Sequence, residues 1–211
     1  MKRSMVRNGA ILAGFALATT FFVSLTFQAT KARIADQQQQ QLKRTLGQII
    51  PDELHDNPLH QHCVTVQSEQ FLGSKYPQRA FVATLGDSAT ALAIETTAPD
   101  GYNGDIKLIV GIDAQGQVLG VRTLAHQETP GLGDDIELRK SDWVLSFNGK
   151  QTQGAKDKNW GVAKDGGQFD QFTGATITPR SYVKAVHNAL LYFDYEFTRL
   201  SKQAIDCGDP Q

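Results

Sequence analysis

From Gly9 to Thr30 the chain carries no charged residue, and Ala10–Phe27 (AILAGFALATTFFVSLTF) is almost wholly apolar or small. A run of that length approaches the roughly 20 residues that an α-helix needs to cross a bilayer. Lys2, Arg3 and Arg7 precede it, and the retention of basic residues on the cytoplasmic side sends the C-terminal bulk outward. A cleaved signal peptide competes with this reading, but it uses an apolar core of about 7–15 residues and a small-x-small cleavage site. Gln28-Ala29-Thr30-Lys31-Ala32-Arg33 offers no clean site of that kind, and no cysteine follows to accept a lipid. An uncleaved anchor is the expectation, with a signal peptide and a buried core helix as the alternatives.

Beyond the anchor, Ile34, Leu42, Leu46 and Ile49 are spaced as on one helical face, with Gln37–Gln41 on the solvated side and Pro51 as the stop. The period then changes to two. Ala80–Leu85 and Ala89–Thr96 flank Gly86-Asp87-Ser88, and Ile106–Ile112 and Gln117–Leu124 flank Asp113-Ala114-Gln115-Gly116, which predicts two antiparallel hairpins. Asp134–Phe147 places acids before Ile136, Leu138, Trp143, Val144 and Phe147 and reads as a short helix. Gly161–Lys164 and Gln168–Phe172 around Asp165-Gly166-Gly167 suggest a further hairpin. Val183, Val186, Leu190, Phe193, Phe197 and Leu200 recur at steps of three and four, which predicts an amphipathic helix lying on the sheet. The fold class is thus α+β: an N-terminal transmembrane helix, then one domain of antiparallel sheet and packed helices.

The length of 211 residues leaves room for one domain plus appendages. Twenty-one basic residues against 22 acidic ones give a formal net charge of -1, which argues against nucleic acid as a partner. The two cysteines, Cys63 and Cys207, are too few for a disulfide-built scaffold. If the domain lies outside the cytoplasm they can pair, tying the tail to the start of the domain; free thiols are the alternative. His55, His60 and His62 beside Cys63 fit no strong metal-ligand spacing, so they read as solvated or capping residues, and no metal site is expected. Trp143 and Trp160 read as core.

Chemistry concentrates where the last helix begins. Thr178 suits the N-cap and Pro179 the first helical position, so the unpaired N–H groups of that end face Asp170-Gln171-Phe172-Thr173-Gly174-Ala175-Thr176-Ile177. Such an end accommodates a phosphate, Gly174 and Ala175 permit close approach of the backbone, and Thr173, Thr176 and Thr178 offer hydroxyls. From the residues alone, an ordinary strand-to-helix turn with a Thr-Pro cap is the favoured reading of the segment, and the phosphate site is the alternative. His126-Gln127-Glu128-Thr129-Pro130-Gly131-Leu132-Gly133-Asp134 likewise reads as a tight turn at Pro130-Gly131 followed by a second at Gly133.

Asp170-x-x-Thr173-Gly174-Ala175-Thr176 resembles the flavinylation motif Asp-x-x-(Ser/Thr)-Gly-Ala-Thr of the FMN-binding domain family, and Glu128-Thr129-Pro130-Gly131-Leu132-Gly133 is similar to a second recurrent segment of that family. The resemblance covers roughly Ala80 to Leu200 and includes the anchor, an arrangement found in Rnf-type ion-translocating electron-transport complexes and in the related sodium-translocating NADH:quinone reductases. It implies one covalent FMN on Thr176 through a phosphoester, with Asp170 read by a flavin transferase or orienting the threonine. It further implies that Thr173, Gly174, Ala175, Thr178, Glu128, Thr129, Gly131, Leu132 and Gly133 surround the cofactor. The implied protein is an electron carrier that does not turn over alone, within a bacterial inner-membrane complex that couples ferredoxin/NAD-type electron transfer to ion movement. Its partners are other membrane subunits and the transferase.

The corresponding division is 1–8 cytoplasmic, 9–30 transmembrane, 31–78 helical linker and start of the periplasmic domain, 79–205 FMN-binding domain and 206–211 tail. Two other classes of function remain in view: a periplasmic module that holds FMN or another anion reversibly, and a stand-alone flavin reductase. No Gly-x-Gly-x-x-Gly follows a strand, which weighs against the reductase.

Overall fold

The structure is a computed structural model, and it describes residues 2–203 and 205–207. Met1, Ala204 and residues 208–211, which include most of the expected tail, lie outside the described residues. The chain divides into two compact units, Met1–Leu42 and Lys43–Gln211. The described residues of the first unit are all helical. Helix α1 (Lys2–Ile49) contains an apolar window of mean hydropathy 2.0, long enough to cross a membrane, and the chain leaves the helix just before Pro51. Thr19, Thr26 and Thr30 donate their hydroxyls to carbonyls one turn back, so these polar groups of the helix are satisfied within it.

The second unit is an antiparallel meander, β1-β2-β3-β4-β5 in spatial order, formed by β1 (Cys63–Val66), β2 (Gln78–Leu85), β3 (Ser88–Ala98), β4 (Ile106–Asp113) and β5 (Val118–Ala125). The four strands of the two predicted hairpins are present. β1, a four-residue edge strand, lies in the stretch 31–78. A short helix α2 (Glu69–Leu72) joins it to β2, with Ser68 accepting the Phe71 N–H as its cap.

Both faces of the sheet are buried, by different means. On one face the aliphatic residues Val82, Leu92, Ile94, Leu108, Val110, Ile112 and Val121 share a core with Tyr182, Val186, Leu190 and Phe193 of helix α3 (Ile177–Leu200). On the other face a cross-strand row runs Phe81, Ala93, Gly111, Gly120. Its small members make room for the last turn of α1, whose Leu46 and Ile49 are buried. A Cβ placed on Gly111 would lie 2.1 Å from Ile49 Cγ2, and one on Gly120 would lie 3.5 Å from Ile49 Cα. Arg122 Nε donates to Gln48 Oε1 beside this contact.

Two sequence expectations fail in the segment between β5 and α3. Asp134–Phe147 is not one helix but two 3-10 turns, Asp134–Ile136 and Asp142–Phe147, because Glu137–Ser141 turns away between them. Gly161–Phe172 is not a hairpin: Val162 and Phe169 meet in an isolated bridge around a 3-10 turn at Ala163–Asp165. A Cβ on Gly167 would sit 1.9 Å from the Gly161 carbonyl oxygen, so the expected turn folds back directly onto the start of the first arm. Aromatic packing fills this segment instead. Phe147 stacks on Phe169 at 4.4 Å, and Trp143 meets Phe172 edge-on at 4.9 Å and Tyr182 at 5.5 Å.

Cys63 and Cys207 form a disulfide that closes the chain back on β1. The Asp206 N–H donates to the Cys63 carbonyl, and Thr65 Oγ1 donates to the Asp206 carbonyl, so the tail covers part of an exposed sheet edge. His55, His60 and His62 each turn to a near neighbour: Nδ1 of His55 to the Asn57 carbonyl, Nδ1 of His62 to the Pro58 carbonyl, and Nε2 of His60 to Gln61.

Candidate functional site

The loop before α3 is a tight turn built on its glycine. Ala175 N–H donates to the Phe172 carbonyl at 3.3 Å, and Gly174 at the third position has φ +82°, a conformation that side-chain-bearing residues avoid. The aromatic cluster fixes the base of this loop, since Trp143 Nε1 donates to the Asp170 carbonyl at 2.8 Å while Phe172 packs edge-on against the same indole. The Asp170 and Thr173 side chains are exposed, and Ala175 and Thr176 are half-buried.

Helix α3 starts earlier than Thr178-Pro179 predicts. Ile177 is its first residue and Thr176 occupies the cap position, with α-region backbone (φ -92°, ψ -22°) and no side-chain cap bond. Pro179 is the third helical residue, still within the first turn, where its missing N–H costs nothing. Thr178 is not a cap at all. It is 1% exposed, and its hydroxyl donates to Glu128 Oε2. The competing principle is burial: a threonine that can bond a buried carboxylate does so in preference to capping its own helix.

The loop that follows β5 holds Glu128, 4% exposed, with both carboxylate oxygens engaged by the chain. Oε1 accepts the Asn103 N–H at 3.0 Å, and Oε2 accepts the Tyr102 N–H at 3.3 Å together with the Thr178 hydroxyl. Past it the chain turns twice. Leu132 and Gly133 N–H groups donate to the Thr129 carbonyl, Gly131 takes φ +77°, and its N–H donates to Asp134 Oδ1 at 2.7 Å. Gly133 is buried against Glu128 and Thr178, and a Cβ there would lie 3.0 Å from Thr178 Oγ1. Leu132, 44% exposed, reaches the other motif, with Cδ2 at 3.4 Å from where a Cβ of Gly174 would be.

The segments that carry the two sequence motifs, about 40 residues apart in the chain, thus meet at two points: Leu132 over Gly174, and Glu128 under Thr178, two residues past the second motif. A third partner escapes sequence reasoning, the β3–β4 loop Gly101–Asn103, whose contribution is two backbone N–H groups. Gly101 and Gly104 are the available signal, and a Cβ on Gly101 would lie 2.2 Å from the Gly104 carbonyl oxygen. Trp143 as the donor that holds Asp170 is likewise invisible in the sequence.

Charged groups frame the site. His126 Nδ1 accepts the Glu128 N–H at 3.1 Å, so Nε2 carries the proton it gives to Glu137 Oε1 at 3.0 Å. Arg139, and then His126, hold the Glu137 carboxyl below its ordinary range. At the start of α3, Arg180 forms a two-point ion pair with Asp165 at 2.5 and 2.8 Å, and Lys184 pairs with Asp100 at 2.7 Å. Tyr182 is fully buried and its phenol is pushed up by burial. It donates to Thr123 Oγ1 at 3.0 Å, since that hydroxyl's own proton goes to the Ile136 carbonyl.

Comparison with known proteins gives the family. The sequence matches the FMN-binding domain family over residues 101–191 and the RnfG N-terminal region over residues 1–49. The G subunit of the ion-translocating oxidoreductase complex from Shewanella piezotolerans is 57% identical over 207 residues, which is 98% of each chain. The protein of the same name from Vibrio cholerae is 53% identical over 98% of this chain and 99% of its own. Among solved structures, NqrC of Shewanella oneidensis shares the fold with a TM-score of 0.50 and 21% identity, covering 73% of this chain and 75% of that one. The chain belongs to the family of G subunits of ion-translocating oxidoreductase complexes.

Proposed function

We infer that this subunit carries one FMN joined by a phosphoester to Thr176 Oγ1, and that it relays electrons within its complex. The observation that carries this reading is the state of Thr176. It stands at the cap position of a 24-residue helix, half-buried, with a hydroxyl that caps nothing. The helical amides of Ile177 and Thr178 have no partner within the helix, and with the helix dipole they favour an anion at that hydroxyl. The residues therefore fit a phosphate-bearing group: an available oxygen for the bond, N–H groups for the remaining phosphate oxygens, and Gly174 for close approach. Leu132, on the turn Thr129–Gly133, lies beside Gly174 and supplies an apolar side for the ring.

When bound, the isoalloxazine stores one or two electrons, and the chain's part is position, hydrogen bonding and a tuned potential. Attachment requires a flavin transferase with FAD as donor. Thr176 Oγ1 attacks the phosphorus on the riboflavin side, the phosphoanhydride bond breaks, AMP leaves and the hydroxyl proton is released; no electrons change hands. Asp170, exposed and joined to no other side chain among the described residues, is readable by that enzyme. In this reading α1 is an uncleaved single-pass anchor in the inner membrane with the domain periplasmic, a compartment in which the Cys63–Cys207 bond persists. The other membrane subunits deliver and receive the electrons, and the complex couples ferredoxin/NAD-type transfer to ion movement.

The test is the intact mass of the full chain from cells that also make the transferase, beside the variant Thr176→Ala. The wild type gains one FMN, and its flavin fluorescence stays with the denatured polypeptide. Thr176→Ala loses all covalent flavin while its unfolding changes by about 1 kcal/mol or less. Covalent FMN persisting in Thr176→Ala, or mapping to Thr178, overturns the assignment; flavin released on denaturation of the wild type establishes a reversible ligand instead.

A further inference from the structure

Two threonines, Thr176 and Thr178, flank the start of α3 within three residues, and their surroundings differ sharply. Thr178 is 1% exposed with its hydroxyl given to Glu128; Thr176 is half-buried with its hydroxyl unengaged in capping. We propose that Glu128 is a positioning residue for cofactor attachment: by pinning Thr178 inward it fixes the rotation of the first turn of α3 and presents Thr176 outward as the acceptor. This rests on the reading of Thr176 as the tether.

The geometry follows from the helix. Successive residues are rotated by about 100°, so a residue two positions away lies about 200° around the axis, on the opposite side. The Thr176 backbone is already in the α region, so it obeys that rotation. Pinning Thr178 into the protein therefore directs Thr176 away from it. The pin itself is rigid. The Glu128 carboxylate is held by two further backbone N–H groups, from Tyr102 and Asn103, and Gly101 and Gly133 close around it without space for side chains. Three chain segments thus converge on one buried carboxylate, and each of its hydrogen bonds is charge-assisted. A carboxylate is needed because every group around it is a donor. Glutamine in its place turns an amide N–H toward the Asn103 N–H or toward the Tyr102 and Thr178 donors, and one of these bonds is lost.

The pair also accounts for the choice of acceptor. Of the three threonines in Thr173-Gly174-Ala175-Thr176-Ile177-Thr178, Thr173 lies in the exposed turn before the helix and Thr178 is occupied below it. Thr176 alone combines an unengaged hydroxyl with adjacent helix N–H groups.

The experiment uses full-length chain produced without the transferase, then incubated with purified transferase and FAD. Four single variants and one double variant are compared with wild type; the single ones are Thr178→Val, which keeps the shape without the hydroxyl, Thr178→Ser, which keeps the hydroxyl, Glu128→Gln, and Thr176→Ala. Three quantities are read: the rate of FMN attachment by intact mass as a function of chain concentration, the thermal midpoint, and hydrogen exchange of the Ser181 and Tyr182 amides, which bond back to the first turn of α3. Thr178→Val and Glu128→Gln should lower kcat/KM for attachment by about tenfold or more and speed exchange at those amides, while Thr178→Ser restores both. The loss in the double variant Glu128→Gln/Thr178→Val should be smaller than the two single losses combined, since both act on one shared cluster of bonds. Attachment at the wild-type rate in Thr178→Val, or a Thr178→Ser variant as slow as Thr178→Val, overturns the positioning role. Covalent FMN on Thr176→Ala overturns the tether itself, whatever the Thr178 variants do.

Discussion

The sheet and the segment that joins it to α3 are held together by different forces. The meander β2–β5 is a set of backbone ladders, interrupted only by local register shifts, between aliphatic rows such as Val82, Leu92 and Ile112, so no one side chain defines its shape. Residues 126–176 have almost no regular ladder. Three 3-10 turns, two isolated bridges, an aromatic cluster around Trp143 and Phe147, and the buried Glu128 keep them in place. A scaffold made of backbone bonds tolerates side-chain change; a loop region made of side-chain bonds positions groups finely and loses them one at a time. The proposed acceptor Thr176 lies at the end of the second kind of region, on the rigid start of a helix. This places chemistry on a loop while a packed element supplies its orientation.

The comparison breaks most visibly at Trp143, which closes both the aromatic cluster and the hydrogen bond to Asp170. Trp143→Ala should cost about 3–5 kcal/mol in unfolding free energy and reduce covalent FMN, as the motif loses its base. Trp143→Phe keeps the edge-on packing with Phe172 but not the indole donor, so it should cost about 1 kcal/mol, with the larger part of its effect on attachment. Equal losses of flavin and stability in both variants would show that packing alone supports the loop.

The sheet supplies the opposite case. At Gly111 even one methyl group meets Ile49 Cγ2 at 2.1 Å, and the last turn of α1 must shift to admit it. Gly111→Ala should destabilise by about 1–3 kcal/mol, read from denaturant unfolding, and folded protein should still carry a full complement of FMN on Thr176. Loss of flavin from folded Gly111→Ala would join the two regions that the comparison separates.

What is legible in the sequence follows the same division. Period-two alternation locates β2 to β5, and the three-four spacing from Val183 to Leu200 locates α3, because each signal repeats along a continuous element. Asp134–Phe147 and Gly161–Phe172 mislead. Acids before an apolar run, and glycines between two short apolar runs, are shared by helices, hairpins and 3-10 turns alike, and the deciding contacts come from residues remote in sequence. Gly101–Asn103 enters the site through its amides, which no sequence displays. Thr178 reads as a cap because Thr-Pro has that local meaning; the partner that overrides it, Glu128, lies 50 residues earlier. The two glycine-bearing motifs stand out as patterns, but their contact through Leu132 and Gly174 is a property of the fold.

The smallest expected effect comes from His187, which lies on α3 where the loop-built region packs against it. The ring is 9% exposed, stacks on Trp160 at 5.3 Å, and has Nε2 at 2.9 Å from Thr152 Oγ1 and 3.3 Å from the Gly154 carbonyl. Burial lowers its pKa below the ordinary 6.5, opposed by the Gly154 carbonyl and by Asp157. The imidazole therefore stays neutral in the folded chain at pH values where the unfolded chain has begun to take up a proton. Between the lowered folded value and 6.5 the unfolded state binds more protons, so this group's contribution to stability falls as pH drops through that window and is fully present above it. Below the folded value both states are charged and the dependence on this residue ends. Replacing the ring by a group of similar shape that does not titrate, as in His187→Gln, should flatten the pH dependence of the thermal midpoint on the acid side of neutrality relative to wild type. The sheet offers no equivalent, since none of the five histidines lies in β1–β5. An unchanged slope in His187→Gln would assign the acid sensitivity to another group and remove this residue from the comparison.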